Sequence, residues 1–152
     1  MANSQRVYFD SALIAKFYLN ERGQRIIRSV AADAGAVLSS ELAIAEVSAA
    51  FHRKLREGSI KEATFMALQG QFAADLGDGL WTLLPVTRAL LYDVSVFFAT
   101  LHSTVFVRSA DALHLMTAKA AGFQRLHSND RHLMAACSSA ALDAVNPLAD
   151  ET

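Results

Sequence analysis

The stretch Arg6-Val7-Tyr8-Phe9-Asp10-Ser11-Ala12-Leu13-Ile14-Ala15 changes character in its middle. Arg6 to Phe9 is an apolar run of strand length that stops at Asp10, and Ser11 to Leu19 then reads as a helix. A buried strand passing straight into a helix is the first half of a parallel crossover unit, and the alternation continues down the chain. Glu21 to Ala32 sets Ile26, Ile27 and Val30 on one helical face, and Ala36 to Leu38 is a brief strand. Ser39 or Ser40 is placed to cap a helix from Glu41 to Arg56, which ends before Gly58. Lys61 to Leu76 is a further helix, closed by Gly77-Asp78-Gly79. Trp81 to Pro85 is a strand, Thr87 caps a helix over Arg88 to Leu101, and Ser109 opens another that reaches Ala121. Phe123 to His127 is a strand, Asp130 to Cys137 a short helix, and Leu142 to Val145 the last strand. The expected fold class is α/β, one domain built on a sheet with parallel crossovers.

Composition narrows the function. The chain has 152 residues, 53% hydrophobic and 19% charged, with 7 glycines and 2 prolines, which excludes a disordered or loop-dominated protein. Lys plus Arg is 14 against 15 for Asp plus Glu, a net charge of -1, unlike a broad, strongly basic nucleic-acid binder. The lone Cys137 removes disulfide scaffolds and thiolate zinc sites and fits a reducing cytoplasm. Met1 to Arg6 contains no apolar signal core, so export is not expected. Ala89 to Val107 approaches membrane length, but Asp93 and His102 within it favour a buried helix, a turn and a short apolar segment.

The informative residues are acids that interrupt apolar sequence. Asp10 follows a strand directly, where α/β sheets gather ligand sites, and equally suits the cap of the next helix. Glu46 lies in Leu42-Ala43-Ile44-Ala45-Glu46-Val47-Ser48-Ala49-Ala50-Phe51, a helix apolar almost all round. An ionised carboxylate there needs a partner, a cation, or a narrow polar stripe through Ala43 and Ala50; Arg53 is one candidate partner. Asp111 falls in a first helical turn, with Arg108 and His114 three residues away on either side and on the same face. For His114 a hydrogen-bonded core role outweighs metal ligation. Ser128-Asn129-Asp130 lies between a strand and a helix and is what a cap requires. If the four acids converge, protonation or a cation must relieve their repulsion, and an oxygen-only site suits Mg²⁺ or Mn²⁺ better than zinc.

These segments together resemble a known pattern. Asp10 through Tyr18 resembles the opening motif of PIN-domain nucleases, especially the VapC toxins of type II toxin–antitoxin systems. Ser39-Ser40-Glu41-Leu42 through Glu46 resembles their second motif. Arg108-Ser109-Ala110-Asp111-Ala112-Leu113-His114-Leu115 is similar to the Asp-Ala-Leu-His-Leu signature. Ser128-Asn129-Asp130-Arg131-His132-Leu133 resembles the fourth motif, and Val145-Asn146-Pro147 fits the close. The motifs stand in family order over about residues 6 to 147.

The resemblance implies a twisted, mainly parallel sheet of about five strands flanked by helices. It implies a divalent-metal-dependent endoribonuclease using Mg²⁺, with Mn²⁺ able to substitute. Asp10, Glu46, Asp111 and Asp130 would be the catalytic and metal-site acids. Ser11, Ser128, Asn129 and His114 would orient them or bridging water. Ala12 departs from the pattern, standing where many relatives carry another hydroxyl. Basic residues near the motifs, Lys16, Arg53, Lys54, Arg56, Arg108 and Arg131, are candidate RNA contacts, although Arg53-Lys54-Arg56 also reads as a solvated helix end. The implied partners are RNA, a VapB-type antitoxin and a second copy of the chain. Phe65, Phe72, Phe97 and Phe98 read as core before docking surface. The alternatives are a PIN ribonuclease of RNA processing, a catalytically silent binding module, and a phosphatase of the haloacid dehalogenase type. The last wants an aspartate where Ala12 stands.

Overall fold

The alternation read from the sequence is present throughout the computed structural model, which describes residues 5–151. Met1 to Ser4, within the segment read above as lacking an export signal, lie outside the described residues. In chain order the elements are β1 (Arg6–Tyr8), α1 (Ser11–Tyr18), α2 (Gln24–Asp33), β2 (Ala36–Ser40), α3 (Leu42–Arg56), α4 (Glu62–Gly77) and β3 (Trp81–Leu84). There follow α5 (Arg88–Thr100), α6 (Ser109–Ala120), β4 (Arg125–His127), α7 (Arg131–Ala136) and β5 (Asp143–Val145). Short 3-10 turns cover Cys137–Ala140 and Ala149–Glu151.

Every strand pairing is parallel. β1 sets Val7 opposite Val37 of β2, β2 sets Ser39 opposite Leu83 of β3, and β4 pairs with β5. One parallel bridge, Phe9 to His127, joins β1 to β4, so the order across the molecule is β3-β2-β1-β4-β5. The chain therefore winds outward from β1 in one direction through β3, then returns to the other side of β1 as β4. At such a switch point the crossovers diverge and leave a crevice beyond the carboxyl ends of the strands. Asp10 sits at that point, its amide donating to the His127 carbonyl at 3.1 Å.

Side-chain alternation along β1 and β2 feeds two cores. Tyr8 and Leu38 pack with α5, α6 and α7 on one face of the sheet. Phe9 and Val37 pack with α1 to α4 on the other. α6 is buried from Asp111 to Ala118, enclosing Asp111, His114 and Thr117 together with its apolar residues. The apolar run Ala89 to Val107 becomes α5 and an irregular segment, and among the described residues no helix is long and apolar enough to cross a membrane. Phe72 and Phe97 are core, Phe65 packs against the core, and Phe98 is 38% exposed.

α2 starts later than the pattern of Glu21 to Ala32 suggests. Gly23 takes the left-handed conformation at φ 90° directly before Gln24, and a Cβ there would meet Leu148 at 2.9 Å, so the chain turns before the helix begins.

A polar chain ties α1 to β3 and α4. The Tyr18 hydroxyl accepts from Trp81 Nε1 and donates to Asp75 Oδ2, each at 2.6 Å. Tyr18→Phe removes the oxygen and leaves the Trp81 N–H, 3% exposed at its residue, without a partner. It is expected to cost about 1–3 kcal/mol in urea unfolding, with no effect on the site described next.

Candidate active site

Asp10 and Asp130 each follow a strand and precede a helix, and each caps that helix with one carboxylate oxygen. Asp10 Oδ1 accepts from the Leu13 amide at 3.0 Å, capping α1, while Oδ2 accepts from the Ser128 hydroxyl. Asp130 Oδ1 accepts from the amides of His132 and Leu133 at 2.8 and 3.0 Å, capping α7, while Oδ2 accepts from Arg108. A carboxylate at this junction satisfies orphan amides with one oxygen and presents the other beyond the sheet edge. Ser128 connects the two acids, donating to Asp10 and accepting from the Asp130 amide at 2.9 Å.

Glu46 stands mid-helix on α3 and finds its partners on α1 and α6. Its Oε1 accepts from the Ser11 hydroxyl at 2.9 Å and faces His114 Nε2 at 2.7 Å. A carboxylate oxygen only accepts, so Nε2 carries a proton toward Glu46, and Nδ1 lies 2.9 Å from the Tyr8 hydroxyl on the other side of the ring. The result is a buried chain from Tyr8 through His114 to Glu46, with His114 2% exposed. Arg53 is not the ion partner of Glu46 in this arrangement, and Ala43 is fully buried rather than part of a polar stripe. Asp111, in the first turn of α6, accepts from Arg108 Nε at 2.8 Å, and Arg108 Nη2 reaches Asp130 Oδ2 at 2.9 Å.

All four acids line one cleft of about 470 Å³, together with Ser11, Ala12, Ala49, Ala50, Arg53, Arg56, Arg108, His114 and Leu133. Glu46, Ala49, Ala50 and Arg53 follow helical spacing along one face of α3, the small alanines leaving room in front of the acids. Ala12, the departure noted in the sequence, is part of the wall. Ser128 is buried behind Asp10, and the half-buried Asn129 is not among the lining residues. Lys16 turns away and pairs with Glu21 at 2.8 Å, which also holds Lys54 at 3.0 Å. Arg131 is exposed outside the cleft wall. Tyr8, which anchors His114, carries no signal in the sequence beyond being an aromatic residue in a strand.

The electrostatics differ from acid to acid. Burial pushes the Asp10 carboxyl up to about 6, against the opposing pull of its bonds to Ser128 and Leu13. Burial works in the same direction on Glu46, but the hydrogen bond and charge of His114, then Ser11, outweigh it and hold Glu46 below the usual range. For Asp130 burial is likewise outweighed, by the Leu133 and His132 amides and by Arg108.

The donor set is all oxygen and includes a desolvated carboxylate in want of positive charge, which fits a hard divalent cation. Arg108, lying between Asp111 and Asp130, already acts as a cation on this set. Among the described residues, no group of three His, Cys, Asp or Glu side chains is gathered closely enough to grip an ion in this structure.

The PIN domain model matches residues 7–137, and the chain belongs to that family of nucleases. Among solved structures, the fold is similar to the Mycobacterium tuberculosis toxin VapC20, which cleaves the sarcin–ricin loop. That match has a TM-score of 0.67 at 15% identity and covers 86% of this chain and 94% of that one. It is also similar to FitAcB from Neisseria gonorrhoeae, with a TM-score of 0.66 at 14% identity over 94% of this chain and 99% of that one. No curated protein sequence matches the chain.

Proposed function

We propose that the chain is an endoribonuclease that hydrolyses RNA phosphodiester bonds with Mg²⁺, Mn²⁺ serving in its place, and that it is the toxin of a VapBC-type pair. The meeting of Asp10, Glu46, Asp111 and Asp130 in one cleft at the switch point carries this reading. A divalent cation on these oxygens would supply activated water and offset the charge developing on the phosphate. The chain's own residues do the rest. Ser128 and the Leu13 amide fix Asp10; His114, steadied by Tyr8, and Ser11 fix Glu46. Arg53 and Arg56, one turn apart on α3, also line the cleft and have no ion-pair partner among the described residues. They are the groups placed to take the phosphates of a strand leading away from the acids. With a net charge of -1 they form a limited basic rim, which suits a selective RNA target.

VapC20 is a sarcin–ricin loop cleaving toxin, and the shared fold supports the toxin assignment. In this reading the partners are RNA, a VapB-type antitoxin and a second copy of the chain. The exposed apolar Leu91, Tyr92 and Val96 of α5 offer surface for protein contact. The lone buried Cys137 accords with a reducing, cytoplasmic setting.

The test is incubation of the purified chain with total cellular RNA. Discrete fragments in Mg²⁺ or Mn²⁺ that vanish with EDTA are expected; a folded, antitoxin-free chain that leaves the RNA intact contradicts the reading. Arg53→Ala is expected to raise KM several-fold with kcat little changed, and to reduce the salt slope of RNA binding by about one. An unchanged slope would remove Arg53 from the RNA path.

A further inference from the structure

Arg108 makes two bonds that draw on the oxygens the proposed cation site depends on. Its Nε lies 2.8 Å from Asp111 Oδ2 and its Nη2 2.9 Å from Asp130 Oδ2, so one guanidinium spans the carboxylates of α6 and of the α7 cap. The Arg108 side chain is 54% exposed and stands at the cap of α6, on the mouth of the cleft, where it can swing away without disturbing the core. The two carboxylates it spans are far less free, at 12% and 29% exposure. A planar fork is well matched to such a pair, whereas a divalent cation demands the same oxygens in a tighter shell.

Resting on the metal-site reading above, we propose that Arg108 is a built-in competitor of the divalent cation: its guanidinium and the metal exclude one another from Asp111 and Asp130. The acids are thereby kept from repelling one another at low cation concentration, and half-occupancy of the site moves to a higher concentration. The displaced guanidinium remains tethered at the mouth of the cleft, beside Arg53 and Arg56, where an incoming phosphate would meet it.

The test is calorimetric titration of Mn²⁺ into the full chain, its Arg108→Gln and Arg108→Lys variants, and Asp10→Asn, with thermal unfolding in EDTA and in Mn²⁺ alongside. Arg108→Gln is expected to bind Mn²⁺ on the order of tenfold more tightly than the unaltered chain. Arg108→Lys, whose single point charge cannot fork across two carboxylates, is expected to fall between them. The thermal midpoint gained on adding Mn²⁺ should be larger for Arg108→Gln than for the unaltered chain. A purely structural arginine would weaken or leave unchanged the binding on removal, and that result, with Asp10-dependent Mn²⁺ binding intact, overturns the competition alone. If neither the unaltered chain nor Arg108→Gln takes up Mn²⁺, the carboxylate site and the competition fall together. Uptake by Arg108→Gln but not by the unaltered chain is the competition in its strongest form.

Discussion

Asp10→Asn is expected to abolish cation-dependent RNA cleavage while making the cation-free protein more stable at neutral pH. The activity loss follows from removing a charged oxygen at the centre of the proposed site and should be at least about a hundredfold. The stability gain has a separate cause. Burial raises the Asp10 carboxyl from an ordinary 3.8 to about 6. A group whose folded pKa is raised binds its proton more tightly in the native state. Its stabilising effect is thus full below the unfolded value and is lost as pH rises through about 6. Above pH 7 the ionised, desolvated carboxylate costs on the order of 3 kcal/mol. Asparagine keeps the cap on Leu13 and carries no charge. Urea unfolding in EDTA at pH 8 should therefore favour the variant by about 1–3 kcal/mol, a difference that shrinks by pH 5. Glu46 and Asp130 shift the other way, but they are common to both proteins and cancel in the comparison. A variant less stable at both pH values would show that the Asp10 charge is already well compensated.

His114→Ala is expected to be the most damaging single change near the cleft. His114 is 2% exposed and bonds Tyr8 on one side and Glu46 on the other. Alanine opens a cavity, removes one polar partner of the fully buried Tyr8 hydroxyl, and removes the bond that offsets the burial of Glu46. The combined cost is about 3–5 kcal/mol, a large share of the roughly 5–15 kcal/mol that holds a domain together. The thermal midpoint should fall by about 10 °C. Tyr8→Phe isolates the first bond and should cost about 1–2 kcal/mol. If the two variants unfold alike, the Tyr8–His114–Glu46 chain is not the unit described here.

Much of this was legible in the sequence because it rests on local rules. The strand-to-helix junctions at Asp10 and Asp130, the Thr87 cap and the Arg108–Asp111 pair are all set within a few residues. Neither Ser39 nor Ser40 caps α3: the cap position is Glu41, without a side-chain cap bond, and the Ser40 hydroxyl one residue earlier accepts only from the Leu42 amide at 3.1 Å. At Asp10 and Asp130 the cap takes one carboxylate oxygen, while the other is held by Ser128 and by Arg108 respectively. What spacing does not encode is pairing across the fold. The Phe9–His127 bridge fixes the strand order, Arg108 reaches Asp130 from another element, and His114 turns to Glu46 and not toward solvent. Lys16 illustrates the converse: part of the first motif in sequence, it is drawn to Glu21, just past the end of its helix. The core role given to His114 is present, and the same bonds place it behind Glu46.

The most direct test of the central claim, that four acids form one cation site for hydrolysing RNA, is the chemistry of the cut ends. The purified chain would be incubated with RNA and Mg²⁺ in heavy-oxygen water, beside EDTA and Asp10→Asn controls. Hydrolysis by water predicts fragments whose new terminal phosphate carries one heavy oxygen, absent from both controls. Fragments ending in a 2′,3′-cyclic phosphate, or cuts that persist in EDTA and in Asp10→Asn, would contradict it.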